Sequence, residues 1–180
     1  MIDKTWTLFL DRDGVINKRL FNRYVKKREE LEIKPDFMEA IKLLRPLFGR
    51  IIIVTNQQGI AKGVTSEAEI KDVHQYLREI LLKEGVTVDG IYYCPHLENS
   101  SCGCRKPDTG MALKAKEDFP DIDFKKSVMV GDNLSDILFG NRCGMVTVYI
   151  GDVLPETAID SPSMPDYFCK DMMDFARLII

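Results

Sequence analysis

Two carboxylates one residue apart, Asp11 and Asp13, stand directly behind the apolar run Trp6–Leu10, with Gly14 next to let the chain turn. Such a pair can converge on one hard cation. One carboxylate can also attack phosphorus and form an aspartyl-phosphate, while the other protonates a leaving oxygen and then activates water. The same spacing alone suits a solvated turn or helix cap; the apolar run before it tips the balance toward chemistry. Three more groups stand in like positions. Thr55 and Asn56 follow Ile51–Val54 and offer a hydroxyl and an amide to phosphate oxygens. Arg105 and Lys106, ahead of Pro107, offer positive charge to a transferring phosphoryl group. Asp132 and Asp136 follow Val128–Val130. Asp132 supplies a third carboxylate for Mg²⁺, and Asp136 braces the loop or ligates through water. Taken singly, these are a turn, a solvated basic pair and an acid pair at a helix N-terminus.

Cys94, His96, Cys102 and Cys104 form a second cluster, spaced C-x-H-x5-C-x-C. Three thiolates and an imidazole complete a tetrahedral zinc with no position left for water, the mark of a structural site; iron can take the same thiolates. The loop runs straight into Arg105 and Lys106, so a clamped metal would hold those cations in place. Cys143 and Cys169 are expected to be packing residues, and His74 to lie on a helix surface or flank.

The elements that must position these groups alternate in type. Trp6–Leu10, Ile51–Val54, Gly90–Tyr93, Val128–Val130 and Val146–Ile150 are short apolar runs that predict five buried strands. Between them, helical spacing predicts helices over Asp36–Phe48, from Ser66 to Gly85, and over Thr109–Asp118 and Ser135–Cys143. Ser66 with Glu69 reads as a capping box. A last helix is expected over Met172–Ile180. Strand–helix alternation with fully apolar strands predicts an α/β fold, a parallel sheet of about five strands with helices on both faces. Residues 1–180 form one expected domain. Ligands of open α/β sheets bind beyond the carboxyl ends of the strands, where every candidate group falls.

The joint order is more specific than its parts. A carboxylate pair, Thr-Asn, Lys and Gly-Asp-x-x-x-Asp, each at a successive strand end, resembles the motif series of the haloacid dehalogenase (HAD) superfamily, from Phe9 to Ile150. The string Asp11-Arg-Asp-Gly-Val-Ile-Asn17 and the Cys/His loop before Cys-Arg-Lys-Pro resemble the branch of histidinol-phosphate phosphatases and heptose 1,7-bisphosphate phosphatases. The resemblance implies a Rossmann-like HAD fold, with Asp11 as nucleophile and Asp13 as acid and base. It implies Mg²⁺ held by Asp11, Asp132 and the Asp13 carbonyl, and Thr55 and Lys106 on the phosphoryl group. The segments between motifs are too short for a large cap domain, which leaves selectivity to three loops. Lys18–Tyr24 is basic and brings Arg19 and Asn22 as candidate substrate contacts, beside Arg12. Gln57–Gly63 brings Gln57 and Gln58, beside Asn56. The zinc loop brings Arg105, and Asn133 is the last candidate.

Asn56-Gln-Gln-Gly-Ile-Ala-Lys-Gly63 and Arg23-Tyr-Val25 lean toward the heptose enzymes; the short zinc loop and Asn133, where those enzymes usually carry a cation, lean away. The expected substrate is D-glycero-D-manno-heptose 1,7-bisphosphate, attacked at the 7-phosphate, with histidinol phosphate as runner-up. A net charge of −3, with no broad basic tract or aromatic series, argues against nucleic acid and hence against a DNA 3′-end phosphatase. The complete catalytic set argues against a noncatalytic zinc-stabilised binding module. No run approaches the roughly 20 apolar residues of a membrane span, and the N-terminus lacks a secretory pattern. A cytoplasmic monomer is the expectation.

Overall fold

The computed structural model describes residues 1–21 and 23–180. Six parallel strands run in the order β3-β2-β1-β4-β5-β6: β1 Thr7–Leu10, β2 Arg50–Asn56, β3 Gly90–Cys94, β4 Ser127–Gly131, β5 Val146–Ile150 and β6 Tyr167–Cys169. The sixth strand goes beyond the expected five. It is three residues long and lies at the edge, with Tyr167 and Phe168 exposed; periodicity has too little length there to register.

The pleat sends alternate residues of the central strands to opposite faces. Leu8, Leu10, Ile51, Ile53, Val128 and Val130 pack against α1 (Pro35–Leu44), α2 (Glu67–Lys83) and α5 (Met172–Ile179). Phe9, Ile52, Val54 and Met129 pack against α3 (Gly110–Asp118) and α4 (Leu134–Cys143). The sheet is thus apolar on both faces, which is why its strands read as continuous apolar runs. The Ser66 capping box forms as expected, its hydroxyl accepting from the Glu69 N–H. α1 starts at Pro35, whose fixed φ suits a first helical turn.

Strand order reverses between β1 and β4, the neighbours at the centre of the sheet. Ligands bind at such a switch point. Asp11 follows β1 and Asp132 follows β4, so the two face one crevice.

Candidate active site

The Asp11 N–H donates to the Val130 carbonyl at 3.0 Å, fixing the loop to the end of β4. Gly14 then turns the chain at φ +104°, where a Cβ would lie 1.9 Å from Asp132 Oδ2, so only glycine serves. Lys106 enters from the far side and is buried. Its Nζ donates to Asp11 Oδ1 at 2.6 Å, to the Val54 carbonyl at 2.7 Å and lies 2.7 Å from Asp136 Oδ1. All three ammonium protons are thereby used. Asn56 clasps the Lys106 main chain, its Oδ1 accepting from the N–H at 3.0 Å and its Nδ2 donating to the carbonyl at 3.1 Å. Asn56 and Thr55 are the last residues of β2 and line the cavity. The Thr55 hydroxyl accepts from Gln57 at 2.9 Å, which leaves its own hydrogen to donate.

The Asp13 carboxylate sits in a cradle of donors. Arg12 approaches from Nε and Nη2 at 2.9–3.3 Å, Asn17 Nδ2 donates at 3.0 Å and Gln57 Nε2 at 2.9 Å. Burial pushes this carboxyl up, but the Arg12 charge and those hydrogen bonds outweigh it and hold it below the usual carboxylate range. Arg12 and Gln57 were expected at the substrate, and both are buried beneath it instead. Their polar groups are spent on Asp13, Thr55 and, for Arg12, on His74. An Arg is almost never fully buried unless paired, and this one is paired.

His74 is also buried, not on the helix surface or flank as expected. The sequence carried the signal: His74 stands four residues after Ile70 and three before Leu77, on the inward stripe of α2. Its polarity obscured that spacing.

The residues suit a magnesium ion. Carboxylate oxygens of Asp11, Asp132 and Asp136 lie within 4.8 Å of one another. Burial pushes Asp11 upward, with Asp136 and Asp132 adding to it against Lys106, and pushes Asp132 up to about 6. The cluster is therefore short of positive charge. Asp136 is the least available ligand, since Lys106 takes Oδ1 and the Asn133 N–H donates to Oδ2 at 3.1 Å. The Asp13 carboxylate points elsewhere, and its carbonyl faces the cluster. Arg19 Nη2 donates to that carbonyl at 3.0 Å and to Asp132 Oδ1 at 2.8 Å. A cationic group thus already touches two of the oxygens that a hard cation would take.

A cavity of about 850 Å³ opens above these groups. All three selectivity loops reach it: Arg19, Arg23 and Tyr24 from the first, Gln58 and Lys62 from the second, Glu98, Ser100 and Arg105 from the third. Asn133 lines it too, while its side chain caps α4 by accepting from the Ser135 N–H at 3.0 Å. Arg105 Nη1 is buried with no hydrogen-bond partner among the described residues. Asn22 lies outside the described residues.

The Cys94, His96, Cys102 and Cys104 ligand atoms also lie within 4.8 Å of one another, with Cys94 Sγ 3.6 Å from Cys102 Sγ and His96 Nδ1 3.3 Å from Cys104 Sγ. Zinc–sulfur bonds of about 2.3 Å in a tetrahedron set sulfurs about 3.8 Å apart, close to the Cys94–Cys102 spacing, while Cys104 Sγ, 2.9 Å from Cys94 Sγ, would spread away from it around an ion. Burial, then the neighbouring thiols, push Cys104 well up; a dication would remove that crowding of thiolates. The donor set fits zinc.

Comparison with known proteins identifies the family. A HAD-hydrolase-like family model matches residues 103–175. The D-glycero-alpha-D-manno-heptose-1,7-bisphosphate 7-phosphatase of Mycobacterium bovis is 42% identical over 132 residues, covering 73% of this chain and 70% of that one. The protein of the same name from Campylobacter jejuni is 42% identical over 147 residues, covering 82% and 83%. The D,D-heptose 1,7-bisphosphate phosphatase of B. bronchiseptica, a crystal structure complexed with magnesium and phosphate, matches with a TM-score of 0.81 at 28% identity over 97% of each chain. The chain belongs to the HAD-like hydrolases, in the family of the heptose-1,7-bisphosphate 7-phosphatases. Among the described residues no helix is long and apolar enough to cross a membrane.

Proposed function

We propose that this chain is a magnesium-dependent phosphomonoesterase, one domain over residues 1–180, that removes the 7-phosphate of D-glycero-D-manno-heptose 1,7-bisphosphate. The carrying observation is the buried Lys106 that clasps Asp11 at the floor of a cavity walled by Arg19, Arg23, Lys62 and Arg105. Asp11 attacks phosphorus and becomes an aspartyl-phosphate. For the first step Asp13 must carry a proton, which its donor cradle disfavours, and give it to the leaving oxygen; its carboxylate form, which the cradle favours, then takes a proton from the water that hydrolyses the intermediate. Thr55 donates its free hydroxyl hydrogen to a phosphoryl oxygen, while Lys106, its protons spent on Asp11, Asp136 and the Val54 carbonyl, acts on the phosphoryl group through its charge beside Asp11. Asp11, Asp132 and the Asp13 carbonyl would hold Mg²⁺, which supplies charge compensation to the phosphoryl group. The cationic wall of Arg19, Arg23, Lys62 and Arg105 supports a second phosphate on the substrate, a group that histidinol phosphate lacks.

The test is kcat/KM for both heptose bisphosphate anomers, histidinol phosphate and a DNA 3′-phosphate. A heptose bisphosphate should lead by on the order of 10²-fold, about 3 kcal/mol of transition-state discrimination. Comparable values for histidinol phosphate would falsify the ranking.

Zinc in the Cys/His cluster acts on loop geometry, and the cytoplasm keeps its thiols reduced. Cys104→Ser should lose zinc by elemental analysis and at least about 10-fold in kcat, with the far-ultraviolet dichroism of the sheet retained. Full activity in the zinc-free variant would remove the clamp from the account.

A further inference from the structure

One buried group in the neighbourhood of the site has no part in the chemistry so far. His74 Nε2 lies 3.0 Å from Arg12 Nη1, and its ring packs at a tilt of 58° on Tyr93, 5.5 Å between centroids. A guanidinium only donates, so Nε2 accepts and the ring is the neutral tautomer with hydrogen on Nδ1. Burial, then the Arg12 charge, push His74 down to about 3, in keeping with a ring that stays neutral. Arg12 is wholly buried in turn, and its remaining contacts go to Asp13. The guanidinium is therefore held at two ends, by a histidine from α2 and by the carboxylate behind β1.

We infer that His74 is a positioning residue for the reaction: it fixes the rotation of the Arg12 guanidinium and through it the placement of the Asp13 carboxylate. Nη1 anchored on α2 leaves Nε and Nη2 facing the carboxylate as a fork, the geometry a planar guanidinium presents to a carboxylate. Without an acceptor at Nε2, the buried Nη1 is an orphan donor. It then turns to seek a partner and takes the fork with it. The helix that packs on the sheet thereby reaches the proton-transfer group without touching substrate. The inference rests on Asp13 as acid and base.

Two substitutions separate this role from packing. Gln places its amide oxygen near Nε2 and keeps the acceptor; Leu removes it. Phosphate release from the heptose bisphosphate is measured for each. His74→Gln should keep kcat within about 3-fold, while His74→Leu should lose about 10- to 100-fold in kcat with KM within about 3-fold. Should the Leu variant not fold, His74→Asn, whose amide is too short to reach Arg12, carries the same comparison. In an Asp13→Asn background the His74→Leu or Asn substitution should cost less than about 2-fold, because residues that act through one another are not additive. Equal losses in both backgrounds, a Gln variant as slow as Leu, or a loss confined to KM would overturn the relay. Wild-type turnover in Asp13→Asn alone would overturn Asp13 as acid and base, and the relay with it. A silent His74 beside an inactive Asp13→Asn would overturn the relay only.

Discussion

Asp11→Asn is expected to lower kcat by on the order of 10⁴ or more, with the melting temperature held within a few degrees. The amide keeps the shape of the carboxylate and loses the nucleophile. Lys106 keeps Asp136 and the Val54 carbonyl, so its charge stays paired. The variant tests the mechanism more directly through the intermediate. Acid-quenched wild-type protein should show the mass of one added phosphoryl group under turnover, and the variant should show none. Retained turnover in the variant would transfer the nucleophilic role away from this loop, and retained substrate binding with no turnover would separate binding from chemistry.

Lys106→Met carries the second large effect, on both stability and rate. It leaves Asp11 and Asp136 buried at a site from which their shared cation is gone. Breaking a buried ion pair from one side costs about 3–5 kcal/mol. The cost has a definite pH dependence. In the variant the buried Asp11 carboxyl, already pushed up by burial, loses the Lys106 charge that opposes that push and rises further above its unfolded value. A raised carboxyl contributes stability below the unfolded pKa and loses it as pH rises through the folded pKa. The deficit against wild type should therefore be small at pH 4 to 5 and large at pH 8. Urea unfolding at these pH values, without added magnesium, measures it; a deficit that does not vary with pH would mean Lys106 acts through packing of its alkyl stem. Turnover should fall by at least about 10³-fold, since the same ammonium stands beside Asp11, the proposed nucleophile.

The sheet was legible because its strands are buried on both faces. Runs such as Ile51–Val54 can then be nothing but apolar. The polar groups at their carboxyl ends were legible for the same reason: Asp11, Thr55 and Asp132 are each the first polar interruption after such a run or close behind it. What was hidden lies one layer below. Arg12 stands between two acids in a glycine-bearing loop, and the sequence places it in solvent or on substrate. Its burial depends on Asp13 and His74, which are one and 62 positions away. Pairing across that distance leaves no periodic trace. Asn56 was a candidate phosphate ligand, yet its amide is committed to the main chain of Lys106. Side-chain chemistry states what a residue can bind, and tertiary placement decides which partner arrives first.

The strand order has a consequence for how the protein comes into being. The Asp11 loop is made before its partners: Lys106 lies 95 positions after Asp11, and Asp136 follows later still. Asp11 follows β1, which lies between a neighbour made next, β2, and one made much later, β4. A nascent chain that ends before β4 can pair only one edge of β1 and carries a carboxylate without its counter-charge. Long-range pairing of this kind is slow to form, so chemical competence arrives in one late step, when β4 docks. A truncated chain should accordingly hold neither half of the site in working order, and the completed sheet should gain the fold and the reaction together.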